Sequence, residues 1–270
     1  MAHYMGTVSL SDIERIQIYN KKRRNTNAGM KQVMKETGGD IVMSGAIFLR
    51  TLKPCCHLKS NGRVLCAPDY VAWAIAWTNP SDFEVCAVPT NKDNWMECVH
   101  AIINGKKISP MKYGKDMAYA TNRVVIGTKN GALTYLATEN NYTPEQVRDI
   151  CYDDGWDDAI MMDGGGTACI LFADGTGFAG DGRYVPFWFV IHLKKGACPY
   201  DEPDMNVKLG SKGEWSKWVQ WHLNQHGAKL IVDGDFGKKS VTALKNFQRS
   251  NSLKADGICG PATRVALKKF

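Results

Sequence analysis

Apolar and polar positions change period several times along the chain, and each change marks an element. Residues 123–127 (RVVIG) alternate and are β-rich, which predicts a strand. Asn130-Gly131 is a hairpin signal, and residues 132–138 (ALTYLAT) read as the returning strand. Thr143, Pro144 and Gln146 form a helix start, with a cap, a proline at the first position and a Gln three residues after the cap. Val147, Ile150 and Cys151 supply the apolar face of that helix, and Gly155 stops it. Residues 159–162 (AIMM) read as a short buried strand ending at Asp163-Gly164-Gly165-Gly166-Thr167. A second hairpin covers 168–173, turns at Asp174-Gly175 and returns at Phe178. Residues 186–193 (PFWFVIHL) read as a buried strand closing the domain. Trp73 and Trp77 flank Ile75 at alternating positions, as core residues on one face of a strand. Residues 1–24 become basic toward their end and read as a helix of no assigned function.

The pattern breaks at residues 196–204 (GACPYDEPD), which carry two prolines and three acids without periodicity and read as a linker. Beyond it a short repeat appears. Asp233-Gly234 through Gly237 is followed by Ser240, Ala243, Leu244, Lys245 and Phe247. Asp256-Gly257 through Gly260 is followed at the same offset of 23 by Thr263, Ala266, Leu267, Lys268 and Phe270. Each unit is a tight Asp-Gly turn leading into a helix with apolar positions three and four apart. An earlier helix over 215–225 places Trp218, Val219, Trp221 and His222 near one face. The chain is therefore expected to be an α+β domain with a mixed sheet (residues 1–196), a linker (197–206) and a small all-α three-helix domain (207–270).

Composition then narrows the class. The hydrophobic share of 44% and charged share of 23% are those of an ordinary globular chain. The longest apolar stretches, such as 70–77, fall far short of the roughly 20 residues a bilayer span needs. Residues 1–12 have neither a basic start nor an apolar run, so the expectation is synthesis in the cytoplasm without a signal peptide. Charge is uneven. Residues 205–270 hold twelve Lys and Arg against four Asp and Glu, a net +8, whereas the rest of the chain sums to −1. The nine cysteines include no CxxC pair, which argues against a zinc site and for reduced, mostly buried thiols.

The C-terminal segment closely resembles the peptidoglycan-binding domain of bacterial and phage wall hydrolases. Leu209-Gly210, Gly213, Val219, Leu223, Gly227, the paired turns Asp233-Gly234/Phe236-Gly237 and Asp256-Gly257/Gly260, Phe247-Gln248, Leu253, Thr263 and Leu267 carry the likeness. It implies binding to peptidoglycan, and the positive charge suits walls rich in anionic teichoic acid. Nucleic acid is not the expected partner, because acidic turns interrupt the basic face and no recognition motif is present.

Asp163 is the leading chemical candidate in the larger domain. A carboxylate ending an apolar strand is half desolvated, which raises its pKa toward proton-transfer range. The amides of the three glycines behind it can form a concave anion-binding cluster. The region resembles the phosphodiester glycosidase family, which includes N-acetylglucosamine-1-phosphodiester α-N-acetylglucosaminidase. The carrying residues are Arg123, Ile126-Gly127, Thr143, Asp157-Asp158-Ala159, the Asp163–Thr167 run and Arg183-Tyr184-Val185-Pro186. Upstream, residues 39–48 resemble the family's early strand, with Ser44 where the family has Asn.

The resemblance implies cleavage of a sugar from a phosphate-linked partner, with Asp163 beside the sugar and Arg123 and Arg183 gripping phosphate. Gly164, Gly165, Gly166, Thr167, Ser44 and Asp181 are the expected substrate contacts. Asp181, Asp158 and Asp40 remain alternatives for a second carboxylate. No metal site and no cofactor is expected from the residues, with a divalent cation left as an open alternative. His57 beside Cys55-Cys56 could form a nucleophile pair. His100 and His192 read as core, His222 and His226 as a solvated helix face rather than a metal pair, and Asp153-Asp154 and Asp157-Asp158 as residues around a helix end rather than a calcium loop. The whole resembles a phage or prophage endolysin acting at the wall after release. A peptidoglycan amidase or glycosidase on the same scaffold, and a non-catalytic wall-binding protein, remain as alternatives.

Overall fold

The computed structural model describes residues 3–194 and 197–269, and the chain divides into two units at Lys194/Lys195. Phe270 of the second repeat and Gly196 of the linker lie outside the described residues.

Among the described residues the N-terminal unit is built on three large sheets. The largest runs in the order His3–Val8, Ala132–Tyr142, Thr121–Lys129, Asp158–Met161, Val99–Ile103, Lys106–Lys107. The second runs Gly177–Phe178, Ile170–Phe172, Ile41–Ser44, Trp188–Leu193, Ile13–Tyr19. The third runs Arg63–Cys66, Leu58–Ser60, Asn94–Glu97, Ala72–Trp77, Glu84–Val88. A two-stranded ribbon joins Arg23–Arg24 to Tyr184–Val185. The expected α+β class holds. Its sheets are less varied than the mixed expectation, since every strand pairing among the described residues is antiparallel. Tight turns such as Asn130-Gly131, both at positive φ, favour neighbours of opposite direction.

Two helices cover these sheets. Helix α1 (Asn27–Thr37) starts where the Thr26 hydroxyl accepts from the Gly29 amide, and packs Met30 and Val33 against Val42, Leu171, Trp188 and Val190. Helix α2 (Pro144–Asp153) has a complete Thr143/Gln146 capping box and buries Val147 and Cys151 against Val125, Leu136 and Met161. Aromatic contacts join the sheets. Tyr135 meets Phe172 at 6.0 Å and Trp77 meets Phe189 edge-on at 5.6 Å. Trp77 is therefore core, while Trp73 is only half-buried.

Residues 1–24 correct the helix expectation. Ile13–Tyr19 is a strand paired with Trp188–Leu193, because Ile16 and Ile18 alternate with Arg15 and Gln17 at the period of a sheet. The acids around α2 brace loops. Asp154 accepts from Lys129 and from the Trp156 indole, Asp157 from the Asn130 amide, and Asp158 from the Asn104 amide and the Thr128 hydroxyl.

Among the described residues the C-terminal unit holds three helices, α3 (Glu214–Gln225), α4 (Lys238–Ser250) and α5 (Pro261–Leu267), around Val219, Leu223, Phe236, Leu244, Cys259 and Leu267. Each Asp-Gly turn places its glycine at positive φ, Gly234 at 76° and Gly257 at 75°. A buried glutamine closes each turn. Gln220 donates to Asp233, Asp235 O and Ser240 while accepting from the Gly234 amide. Gln248 repeats every bond with Asp256, Ile258 O, Thr263 and Gly257.

His222 and His226 are not a solvated face. His222 is buried, its Nδ1 2.9 Å from Trp218 O, and burial pushes its pKa down to about 4. His226 Nε2 lies 2.9 Å from Leu267 O, with the ring against Phe247. No helix among the described residues is long and apolar enough to cross a membrane.

Candidate active site

The site forms where the chain crosses between sheets. The Asp158–Met161 strand is central in the largest sheet, and Met162 still bonds through its amide to Val124 O at 2.7 Å. The next residue, Asp163, reaches toward the second sheet, its amide 3.2 Å from Gly45 O. A single 3-10 turn, Gly165–Thr167, then redirects the chain into the Ile170–Phe172 strand of that second sheet. Asp163 therefore sits at the seam of two sheets, at the floor of a cleft of about 950 Å³.

Burial pushes the Asp163 carboxyl up to about 6. The Thr167 side chain, the Gly164 amide at 3.0 Å and the charges of Arg183 and Arg123 oppose that shift without cancelling it. Desolvation thus outweighs four favourable interactions, leaving the acid half ionised near pH 6.

The glycines behind Asp163 are fixed by close approach. A Cβ on Gly166 would come within 2.1 Å of an Asp181 oxygen and 2.6 Å of Arg183 Nη2. Asn25, fully buried, ties this bend to the neighbouring loop. Its Nδ2 donates to Gly166 O at 2.6 Å and Thr167 O at 3.2 Å, while its Oδ1 accepts from the Gly182 amide at 2.9 Å.

The two guanidiniums meet the cleft differently from the expectation. Arg123 is 1% exposed, and its Nη2 donates to Met117 O and Tyr119 O while its Nε donates to Tyr142 O. It braces the 117–119 loop, and what remains for a ligand is Nη1, beside Gly164. Arg183 is exposed, but its Nε lies 2.9 and 3.0 Å from the two Asp181 oxygens. Their mutual hydrogen bonds hold the Asp181 carboxyl below the ordinary carboxylate range and Arg183 above its own.

Of the other expected contacts, Gly164, Gly165, Thr167 and Asp181 line the cleft. Gly166 lies beneath it, against Asp181. Ser44 does not face the cleft. It is fully buried, its amide bonded to Cys169 O at 3.2 Å, because the Ile41–Ser44 strand is covered on both faces. Among the candidates for a second carboxylate only Asp181 is in the cleft. Asp158 serves the Asn104 loop, and Asp40 accepts from the Leu193 amide. His57 is buried against Glu97, its Nδ1 2.6 Å from Oε2. No group of three or more His, Cys, Asp and Glu among the described residues is placed to hold a metal ion.

The sequence reading missed the rest of the lining. Lys22, Arg24 and Arg50 add positive charge, and Tyr119 and Tyr184, residues 59% and 41% exposed, add aromatic rings. The basic run 21–24 was visible in the sequence, but nothing local places it beside Asp163, some 140 residues away.

Comparison with known proteins separates the two units. Residues 212–267 match the family model described as "Putative peptidoglycan binding domain". The C-terminal unit carries a peptidoglycan-binding domain. Two bacterial proteins share sequence with the chain. The zinc D-Ala-D-Ala carboxypeptidase of Streptomyces albus G is 42% identical over 57 residues, 20% of this chain and 22% of that protein. A protein of Bacillus licheniformis named "Probable N-acetylmuramoyl-L-alanine amidase" is 38% identical over 64 residues, 23% of this chain and 18% of that protein. The chain thus spans about a fifth of the length of each curated relative. Beyond the peptidoglycan-binding domain the likeness is one of fold. The catalytic domain of zebrafish N-acetylglucosamine-1-phosphodiester α-N-acetylglucosaminidase superposes with a TM-score of 0.51 at 11% identity, covering 72% of this chain and 83% of that one.

Proposed function

We propose that the protein is a cell-wall hydrolase in which the N-terminal unit cleaves a glycosyl-phosphodiester linkage and the C-terminal domain holds it on peptidoglycan. The observation that carries this reading is the cleft: one half-buried acid with a pKa near 6 at the floor of a lining rich in arginine and lysine, with two exposed tyrosine rings. Cleavage of a sugar–phosphate bond develops positive charge at the anomeric carbon and negative charge on the departing phosphate. The Asp163 carboxylate supplies the first complement and the cations the second. The C1–O bond breaks with its electron pair going to the phosphate oxygen, water adds to C1, and the water proton passes to a carboxylate. The products are a reducing sugar and a phosphomonoester. Phosphate is already a good leaving group, so ionised Asp163 suffices and a separate strong acid is not required. The fold shared with a named phosphodiester glycosidase supports this reading.

The tethering logic supports it too. A wall-binding domain raises the local concentration of an immobile substrate without altering the active site, and the +8 charge of residues 205–270 favours a wall bearing anionic teichoic acid. Incubation of the full chain with purified walls tests the assignment. New reducing ends together with phosphomonoester are expected. New amino groups would instead mark an amidase, and no soluble product a non-catalytic adhesin.

A further inference from the structure

The cleft's phosphate-holding charge is a question of which cations are free. Arg183 is committed to Asp181 through its Nε and Nη2, and Arg123 to three backbone carbonyls. Lys22, Arg24 and Arg50 are different. All three are exposed on the cleft wall, and none of them pairs with a carboxylate among the described residues.

The backbone explains how a run of four cations was sorted. Arg24, on the Arg23–Arg24 strand, and Lys22, just before it, both turn to Tyr184, whereas Arg23 alternates to the other side and grips both Glu36 oxygens at 2.6 and 2.7 Å. Arg24 is paired in register with Tyr184. The Lys22 ammonium lies 4.2 Å and the Arg24 guanidinium 4.6 Å from the Tyr184 ring centroid. Arg24 Nη1 also donates to Gly182 O at 2.9 Å, next to the Asp181–Arg183 pair. Two cations are thus held against one aromatic ring without neutralisation, each keeping donors for a ligand.

We infer that Lys22 and Arg24, braced on Tyr184 and assisted by Arg50, form the phosphate subsite of this cleft and select phosphate-linked over neutral glycan. This rests on the proposed glycosyl-phosphodiester reading and assigns its anion recognition to residues other than Arg183. An anionic oxygen placed there gains unpaired charge, whereas at Arg183 it competes with a carboxylate already in place. Loss of Lys22 or Arg24 therefore acts on substrate binding.

The test compares binding of inorganic phosphate, a sugar 1-phosphate and the corresponding neutral sugar to the full chain by calorimetry. Lys22→Ala and Arg24→Ala are each expected to weaken sugar-phosphate binding on the order of tenfold, the scale of a charge-assisted bond, and to leave neutral-sugar binding unchanged. In turnover the loss is expected in KM with kcat retained. The Lys22 ammonium makes no hydrogen bond to the rest of the chain among the described residues, and its carbonyl, which accepts from Arg23 Nη1, is main-chain, so Lys22→Ala reads the subsite without disturbing the ribbon. Wild-type affinity for phosphate in both variants, or an equal loss for the neutral sugar, overturns the inference. So does an absence of phosphate binding by the wild type. Phosphate binding through these residues without release of phosphomonoester from walls would instead sink the hydrolase reading and leave the subsite standing.

Discussion

The molecule uses the Asp-Gly turn in two ways, and the contrast shows what makes an acid chemical rather than architectural. In the C-terminal unit Asp233 and Asp256 each accept an amide two residues on and a glutamine amide, on open turns. Those bonds to the ionised form lower the Asp256 pKa. At the sheet seam Asp163 also accepts the following amide, yet its pKa rises to about 6. The difference is burial. The same local motif becomes a cap when water reaches it and a titrating group when two sheets close around it.

The largest expected effect breaks this contrast at its centre. Asp163→Asn should lower hydrolysis by roughly 10²–10⁴-fold, the usual worth of a positioned proton-transfer or charge-stabilising group, read as phosphomonoester released from walls. Above pH 6 the same change removes a desolvated charge, so the variant should melt slightly higher than wild type. Full activity in Asp163→Asn would sink the catalytic assignment. Next in size is the architectural acid's partner. Gln248→Leu orphans the Gly257 amide and the Asp256 turn in a buried setting, and should destabilise the C-terminal unit by about 2–3 kcal/mol. Denaturant unfolding of the full chain followed by α4 amide exchange reads this. Gln220→Leu should match it, and a loss below about 0.5 kcal/mol in both would show that the turns hold themselves.

What the sequence revealed follows the reach of each interaction. The hairpins at Asn130-Gly131 and Asp174-Gly175, the Thr143 capping box and the paired DGxxG turns were legible because their determinants lie within a few residues. Asp163 was legible as the polar end of an apolar strand. The partners were not. Asn25 reaches Gly166 across 141 positions, and no local pattern announces that a single asparagine will stitch two loops. The family resemblance made Arg123 a ligand grip, but the Met117 and Tyr119 carbonyls that claim it sit at the end of a 3-10 turn and in the loop after it, which no local pattern ties to the strand. The basic run 21–24 was visible as charge, and its two-residue alternation separated the Glu36-bound arginine from the free pair only once the ribbon existed. Ser44 is the converse case. The family resemblance drew attention to it, and coverage of its strand on both faces removed it from the cleft.

The smallest effect is also the sharpest form of the comparison, because acid should push the two units in opposite directions. The folded Asp163 pKa of about 6 lies above its ordinary 3.8, so between those values the folded state binds more protons than the unfolded one. Asp163 therefore contributes stability to the N-terminal unit as pH falls through that window, against the opposite contribution of the half-buried His100 and the buried His192, and carries the full penalty of its buried charge above it. His222 behaves oppositely. Its folded pKa of about 4 lies below the ordinary 6.5, so the folded state binds fewer protons at this ring across that range and His222 costs the C-terminal unit stability on acidification, opposed lower down by the Glu214 carboxyl that burial pushes up. A shift of two pKa units corresponds to about 3 kcal/mol at most, and solvent at the cleft reduces the Asp163 share to about 1–2 kcal/mol. Hydrogen exchange between pH 4.5 and 7 should show the sheet amides around Met162 gaining protection at low pH while those of α3 lose it. Asp163→Asn should flatten the first slope and leave the second, and His222→Gln should do the reverse. Slopes of the same sign in the two units, or slopes that survive both substitutions, would show that neither residue governs its unit's response and that the contrast between the two kinds of site is not electrostatic in origin.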